Sequence, residues 1–212
     1  MTFEFVFLFL AGFFGGTLNS IAGGGTFVTF PALLFVGVPP IIANATNTFA
    51  SSSGYLSGLY AFRKDLKPHN KLIPLYIFCS FLGGSLGAWL LMETPEKVFR
   101  SIIPWLMFLA TIIFIFGTNL NQAFRTLGEK NRSISIIGKI ATPIILVLVC
   151  FYGGFFNAGF GIIALSYLAL AGHTDIAAMN GLKLLISFWV SIFAIILFAL
   201  NDAIAWGQGA TV

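Results

Sequence analysis

Residues 13–48 read FFGGTLNSIAGGGTFVTFPALLFVGVPPIIANATNT, and residues 151–184 repeat the pattern as FYGGFFNAGFGIIALSYLALAGHTDIAAMNGLKL. Each stretch has two aromatic residues, a glycine pair, an asparagine, further glycines, an apolar run and a segment that opens with alanine and asparagine. The corresponding residues, first repeat before second, are Gly15 and Gly153, Gly16 and Gly154, Asn19 and Asn157, Gly25 and Gly161, and Asn44 and Asn180. Glycine-interrupted hydrophobic segments at matching places in two halves are typical of secondary transporters, which bind their solute between the repeats. The repeat therefore predicts both an architecture and a class of function.

The composition predicts a membrane protein. Hydrophobic residues make up 58% of the 212-residue chain and charged residues only 8%, whereas a soluble domain usually has about 25% charged residues. The first 16 residues carry no basic stretch and no small-residue cleavage site, which favours a retained helix over a signal peptide. Cys79 and Cys150 lie in separate apolar runs and are interpreted as core or lipid-facing residues. The net charge of +4 comes from short loops, so it does not indicate nucleic-acid binding.

Hydrophobic segments predict the helices. They lie at about 4–22, 26–37, 41–62, 72–91, 98–118, 136–157, 160–172 and 176–200. A helix needs about 20 residues to span a bilayer, so the segments at 26–37 and 160–172 are interpreted as half-helices that follow a glycine break. The predicted fold is an all-α integral membrane protein of two homologous repeats with glycine-broken helices, the second repeat inverted.

Basic residues in the connections predict the orientation. They cluster at 63–71 and 119–139, which the positive-inside rule makes cytoplasmic, and the turn at 92–97 is then external. If every segment crosses the membrane, the first repeat has five crossings, begins outside and is inverted relative to the second. Alternatively, each short segment returns to its own side, which gives four crossings per repeat and a cytoplasmic N-terminus. The absence of lysine and arginine before Arg63 favours the first version.

One polytopic domain is expected over residues 1–212. Its first repeat runs over about 3–118, a cytoplasmic loop over 119–139 and a partial second repeat over about 140–212. The offset from Gly15 to Gly153 is 138 residues, so the counterpart of Gly117 would be at about position 255, past Val212. The last two helices of the second repeat are therefore expected to be missing from this chain.

The glycine breaks are the first candidate binding elements. Gly23, Gly24 and Gly25 each cost a helix interior roughly 1 kcal/mol relative to alanine, so they interrupt it. Main-chain groups freed at membrane depth need a polar cavity or protein around them, and N–H groups at the start of the next helix suit an anion. A tight packing kink is the alternative. The break recurs in the second repeat, and the candidate residues of the two breaks are Asn19, Gly23, Gly24, Gly25, Thr26, Asn157, Gly159 and Gly161. We expect 15–26 and 153–161 to lie close together at mid-membrane and to line one cavity.

The third segment of each repeat supplies further candidates. It opens with Asn44, Thr46 and Asn47 in the first repeat and with Asn180 and Lys183 in the second. The asparagine and threonine side chains could equally form hydrogen bonds between helices. Lys183 lies about two turns into a predicted span, where a charge is costly unless it is paired or hydrated. It is interpreted either as a cation that meets an anionic solute or as a lysine that snorkels to the interface near Asp175.

The sequence gives little indication of proton-transfer, catalytic or metal-binding chemistry. His173 and Asp175 precede the last long helix and could form a proton-responsive pair, although Asp175 could simply belong to the first turn of that helix. Ser53-Gly54 and Ser57-Gly58 lack the preceding glycine of intramembrane serine proteases, so no enzyme is predicted. No pattern indicates a catalytic residue, a metal site or a cofactor. The predicted partners are the lipid bilayer and a small anionic solute, and the sequence does not indicate an oligomeric state.

The motifs resemble the TauE/SafE-type sulfite exporter permeases. The resemblance lies in GFFGGTLNSIAGGGTFVTFPALL at 12–34, ANATN at 43–47, GGFFNAGFGIIAL at 153–165 and TDIAAMNGLK at 174–183. It implies a permease of the bacterial inner membrane that moves sulfite, sulfonates or related organosulfur anions. A non-transporting membrane scaffold or subunit is the alternative function.

Overall fold

The computed structural model describes residues 2–130 and 132–212, with side chains at 3–19, 23–113, 115 and 141–212. Every regular element in that part of the chain is helical. The α-helices are α1 (Thr2–Ala22), α2 (Thr26–Phe35), α3 (Pro40–Ala61), α4 (Ile73–Glu93), α5 (Glu96–Lys130), α6 (Arg132–Phe155), α7 (Phe160–Leu170), α8 (Ile176–Leu200) and α9 (Trp206–Thr211). A short 3-10 turn at Lys67–His69 connects α3 to α4.

The eight predicted hydrophobic segments correspond to α1 through α8, so their existence is confirmed, and their bounds agree within a few residues except at the end of α5, which continues to Lys130. The short segments are α2, with 10 residues, and α7, with 11. Among the residues whose side chains are described, two helices, α4 and α8, are long and apolar enough to cross a membrane.

The prediction of a loop at 119–139 is wrong, because the described residues of that stretch are helical. Residues 119–130 belong to α5 and residues 132–139 belong to α6. The loop was predicted from a fall in hydropathy, which shows where an apolar surface ends but not where a helix ends. This stretch contains no proline and is rich in residues that tolerate a helix. Its side of the membrane stays a prediction.

Glycines in a left-handed conformation separate the short helices from the long ones. Gly23 has φ +77°, directly after α1, and Gly159 has φ +78°, directly before α7. Side chains with a Cβ rarely adopt this conformation. The two glycines therefore set the directions in which α2 and α7 leave.

Close contacts between helices position α4, α6 and α8. An added Cβ on Gly87 would overlap the Phe151 carbonyl oxygen, and one on Gly154 would overlap that of Gly84. Small residues of this kind let α4 and α6 approach closely, as in membrane helix pairs. Helix α8 packs against α3 and α4, so its middle is enclosed.

Candidate functional site

The two glycine breaks are in direct contact. The backbones of Gly23 and Gly161 approach so closely that a Cβ on either would overlap the other. The prediction that 15–26 and 153–161 lie close together is confirmed by this contact. Helices α2 and α7, which begin just after the two breaks, therefore start at one junction.

Two side chains, from α2 and α3, bind the main chain between α6 and α7. Gly159 N donates to Thr26 Oγ1 at 3.0 Å. Asn44 forms two bonds, since its Nδ2 donates to the Phe155 carbonyl oxygen at 3.1 Å and its Oδ1 accepts from Asn157 N at 3.2 Å. Asn44 and Thr26 thus replace helix hydrogen bonds that the break between α6 and α7 leaves unmade.

Two buried amide groups at the junction have a free donor. Thr29 Oγ1 donates to Asn47 Oδ1, and Tyr55 OH donates to Asn157 Oδ1 at 3.1 Å. Both asparagines are fully buried, and the Nδ2 atom of each has no hydrogen-bond partner among the described residues. A buried donor without an acceptor is costly. A solute that carries oxygen acceptors would satisfy such donors.

Two helix N-termini meet at the junction, and the C-terminal ends of α1 and α6 lie beside them. Helix N-termini carry a partial positive charge, and those of α2 and α7 meet here. The side chains that contact the junction are neutral threonine, asparagine and tyrosine residues. The arrangement favours a negative charge on a solute.

Lys183 is buried next to the first break. It is 1% exposed, and its Nζ donates to the Asn19 carbonyl oxygen at 3.3 Å and to Asn180 Oδ1 at 3.1 Å. Asn19 belongs to the last turn of α1, whose partial negative charge stabilises a cation. No salt bridge to Lys183 is formed within the described part of the chain. The charge is therefore held by neutral acceptors and does not reach the surface near Asp175, whose Oδ1 accepts from Ala177 N at 3.0 Å.

A cavity of about 460 Å³ lies beside the first break, between α1, α2 and α3. Of the predicted site residues it contacts Asn19, Gly25 and Thr26, and its other polar lining residues are Thr29, Ser51, Ser53 and Ser57. The expectation that 153–161 would line the same cavity was wrong, because no residue of that stretch is in its lining. The contact between Gly23 and Gly161 fills the space between the two breaks.

The remaining predicted residues have separate positions. Thr46 lies away from the breaks, since its Oγ1 accepts from Ala205 N at 2.9 Å and ties α3 to the chain before α9. Gly24 is half-buried beside Ile162. Thr29 and Tyr55 were missed in the sequence. A signal for Tyr55 was present, because Asn44, Asn47, Ser51 and Tyr55 follow one another at helical spacings of three and four residues.

His173 is paired differently from the expectation. Its Nε2 lies 3.1 Å from Tyr76 OH, and its ring packs edge-on against His69 with centroids 5.1 Å apart. Burial, and secondarily the nearby His69, lower the pKa of His173 below its usual value of 6.5. Asp175 instead caps α8, so the alternative that Asp175 belongs to the start of that helix is confirmed.

The chain is similar in sequence to known membrane proteins. The family model described as sulfite exporter TauE/SafE matches residues 8–212. A probable membrane transporter protein of Haemophilus influenzae is 30% identical over 203 residues, which are 95% of this chain and 76% of the relative. Probable membrane transporter protein ORF9 of a Sinorhizobium species is 33% identical over 96% of this chain and 75% of its own length. YfcA of Escherichia coli K12, also named a probable membrane transporter protein, is 31% identical over 95% of this chain and 72% of its own length. No solved structure matches significantly.

Proposed function

The chain belongs to the TauE/SafE sulfite exporter family, and from that premise we propose that it is a secondary transporter of small anions such as sulfite, sulfonates or related organosulfur compounds. Relatives that cover nearly all of this chain are named membrane transporters, which supports a membrane location and a transport function. The bacterial inner membrane is the location we propose.

The observation that carries this proposal is the pair of buried, unpartnered amide donors of Asn47 and Asn157. They lie where the N-termini of α2 and α7 meet, so both fixed dipoles and free N–H groups favour an anion there. A sulfonate offers three oxygen acceptors around one negative charge, which suits donors that approach from two repeats. Lys183 supplies a full positive charge from α8.

The repeat relation supports the proposed mechanism. We propose that the two repeats are inverted and that each short helix is the second half of a glycine-broken helix. In such proteins the solute stays near the repeat contact while one repeat moves against the other. The contact between Gly23 and Gly161 is the natural pivot, because it has no side chains that would interlock.

Reconstitution in lipid vesicles tests the function. Vesicles that contain the purified chain should take up sulfur-labelled methanesulfonate or sulfite faster than empty vesicles, and unlabelled methanesulfonate should compete. Dimethyl sulfone, which has the shape of methanesulfonate but no charge, should not compete. Folded protein that moves none of these anions would favour the membrane scaffold, and competition by dimethyl sulfone would show that charge is not recognised.

A further inference from the structure

Two serines of α8 have unused hydroxyl groups inside the protein. Ser187 is 1% exposed and Ser191 is fully buried, and the Oγ of each lacks a hydrogen-bond partner among the described residues. Serine in a helix commonly donates to the carbonyl oxygen four residues earlier. Ser80 on α4 does so, with Oγ 2.7 Å from the Tyr76 carbonyl oxygen. The two α8 hydroxyls are therefore unusual within this protein.

Ser187 and Ser191 continue the helix face that begins with Lys183. The three residues are spaced by four, so their side chains lie one above another, about 6 Å apart per turn. Lys183 at one end of this row is buried without a carboxylate partner in the described part of the chain. The row thus has a cation at one end and two free hydroxyl groups beyond it.

The row faces α3. An added Cβ on Gly181 would meet Phe62, and one on Gly58 would meet Leu184, so α3 and α8 run antiparallel with their residues in step. Ser187 and Ser191 lie three and seven residues after Leu184, on the same helix face.

Extending this register brings each serine opposite a polar residue of α3. Counted from the contact between Gly58 and Leu184, an unbroken antiparallel register would set Ser187 level with Tyr55 and Ser191 level with Ser51. Tyr55 donates to Asn157 at the junction of the breaks, and Ser51 lines the cavity beside α1. The register therefore sets polar residues of α3 and α8 at the same levels along the two helices.

We propose that Ser187 and Ser191 bind the transported anion along the α3–α8 interface, as a hydroxyl-lined continuation of the site at Lys183. This inference rests on the proposed function. Hydroxyl groups can donate to an anion or accept from a cation, but Lys183 in the same row repels a metal cation and attracts an anion. Two hydroxyls one turn apart allow an oxyanion to exchange one donor for the next as it moves.

Alanine substitution separates binding from folding. Since the hydroxyls have no protein partner, Ser187→Ala and Ser191→Ala should leave the thermal midpoint in detergent unchanged or higher, because removal of an unpaired buried polar group is neutral or stabilising. Each should raise KM for methanesulfonate about tenfold, the effect of losing one hydrogen bond to a charged group. Ser80→Ala is the matched control, because it removes a bonded hydroxyl and should lower the thermal midpoint with little effect on KM. Unchanged KM in both α8 variants would overturn the proposal.

Thiol labelling tests the route without a transport assay, so its failure is separable from failure of the proposed function. In a Cys79→Ala/Cys150→Ala background, Ser187→Cys and Ser191→Cys should react with an anionic methanethiosulfonate reagent, and methanesulfonate should slow the reaction. Ala194→Cys, on the same helix but buried in the apolar core, should not react. Thiols at 187 and 191 that are as inert as the one at 194 would overturn the proposal even if the unaltered chain transports sulfonates.

Discussion

Gly23 and Gly161 bring the chain before α2 into main-chain contact with the first turn of α7, since a Cβ on Gly161 would lie 2.6 Å from the Gly23 carbonyl oxygen. The reverse contact is as close, with a Cβ on Gly23 lying 2.9 Å from the Gly161 carbonyl carbon. Two backbones at this distance leave no room for any side chain. Gly23 and Gly161 are thus required by packing, and Gly23 also by its left-handed conformation.

Gly161→Ala should destabilise the fold. Its methyl group would overlap the Gly23 main chain, which cannot move as a flexible side chain would, so we expect a loss of about 1–3 kcal/mol or more. Gly24→Ala is the matched control, because the nearest atom to its Cβ is Ile162 Cδ1 at 3.6 Å, an ordinary contact. Thermal unfolding in detergent measures both variants. Equal thermal midpoints for the two variants would mean that the main chains at Gly23 and Gly161 have room for a methyl group.

Asn44→Ala should also destabilise the fold, for a different reason. It removes both hydrogen bonds to the second break and leaves the Phe155 carbonyl and the Asn157 N–H buried without a partner, at about 1–3 kcal/mol. Asn201→Ala serves as the control, since its amide bonds the Leu197 carbonyl at an exposed position and its loss should change stability by about 0.5 kcal/mol or less. Denaturant unfolding in detergent compares the two. A similar small loss for both would show that Asn44 is not a structural clamp.

The helices could be predicted because a hydrophobic run and its glycine or proline boundaries are local. The run at 41–62 became Pro40–Ala61, and the run at 176–200 became Ile176–Leu200. The helix Trp206–Thr211 could not be predicted in this way, because six residues with two glycines carry no periodic signal. Polarity alone likewise did not indicate that residues 119–130 continue α5.

The site could be predicted only as a set of residue types. Asn44 and Asn157 were both selected, but their mutual bond spans 113 positions and depends on how α3 meets the second break. Lys183 was interpreted either as a cation that meets an anionic solute or as a snorkelling lysine, and its burial against the Asn19 carbonyl depends on how α8 approaches α1. Its bond to Asn180, three residues earlier on the same helix, is local. Thr29 was missed because a threonine in an apolar helix has no distinctive pattern.

Acid should weaken the contact between the α3–α4 and α7–α8 connections. The pKa of His173 is lowered by burial and then by His69, so the unfolded chain binds more protons than the folded chain in the window below about 6.5. The stability from neutral His173 is complete above that pH and is lost as the pH falls through the lower, folded pKa. His173→Gln should flatten the fall in thermal midpoint between about pH 7 and about pH 5.

His69→Gln provides the comparison for that experiment. It removes the ring that faces His173 but keeps the hydrogen bond between His173 and Tyr76, so it should reduce the acid-induced fall in thermal midpoint only in part. If His173→Gln keeps the full pH dependence of the unaltered chain, protonation of His173 does not control stability at this end of the molecule.

Substitution of Lys183 is the strongest single test of anion transport. Its buried ammonium group is held by two neutral acceptors, so an incoming anion would be its only full negative partner among the described residues. Lys183→Met keeps much of the length and removes the charge, whereas Lys183→Arg keeps the charge. Lys97→Met, at an exposed position beside the 92–97 turn, is the matched control.

The decisive measurement is initial-rate uptake of methanesulfonate by vesicles that contain equal amounts of folded variant. If Lys183 attracts the anion, Lys183→Met should lose about tenfold to a hundredfold in kcat/KM, as expected for one charge-assisted contact, while Lys183→Arg retains part of the activity and Lys97→Met retains all of it. Normal uptake by Lys183→Met across the full range of methanesulfonate concentrations would contradict the account, because the buried lysine would then have no part in recognising the anion.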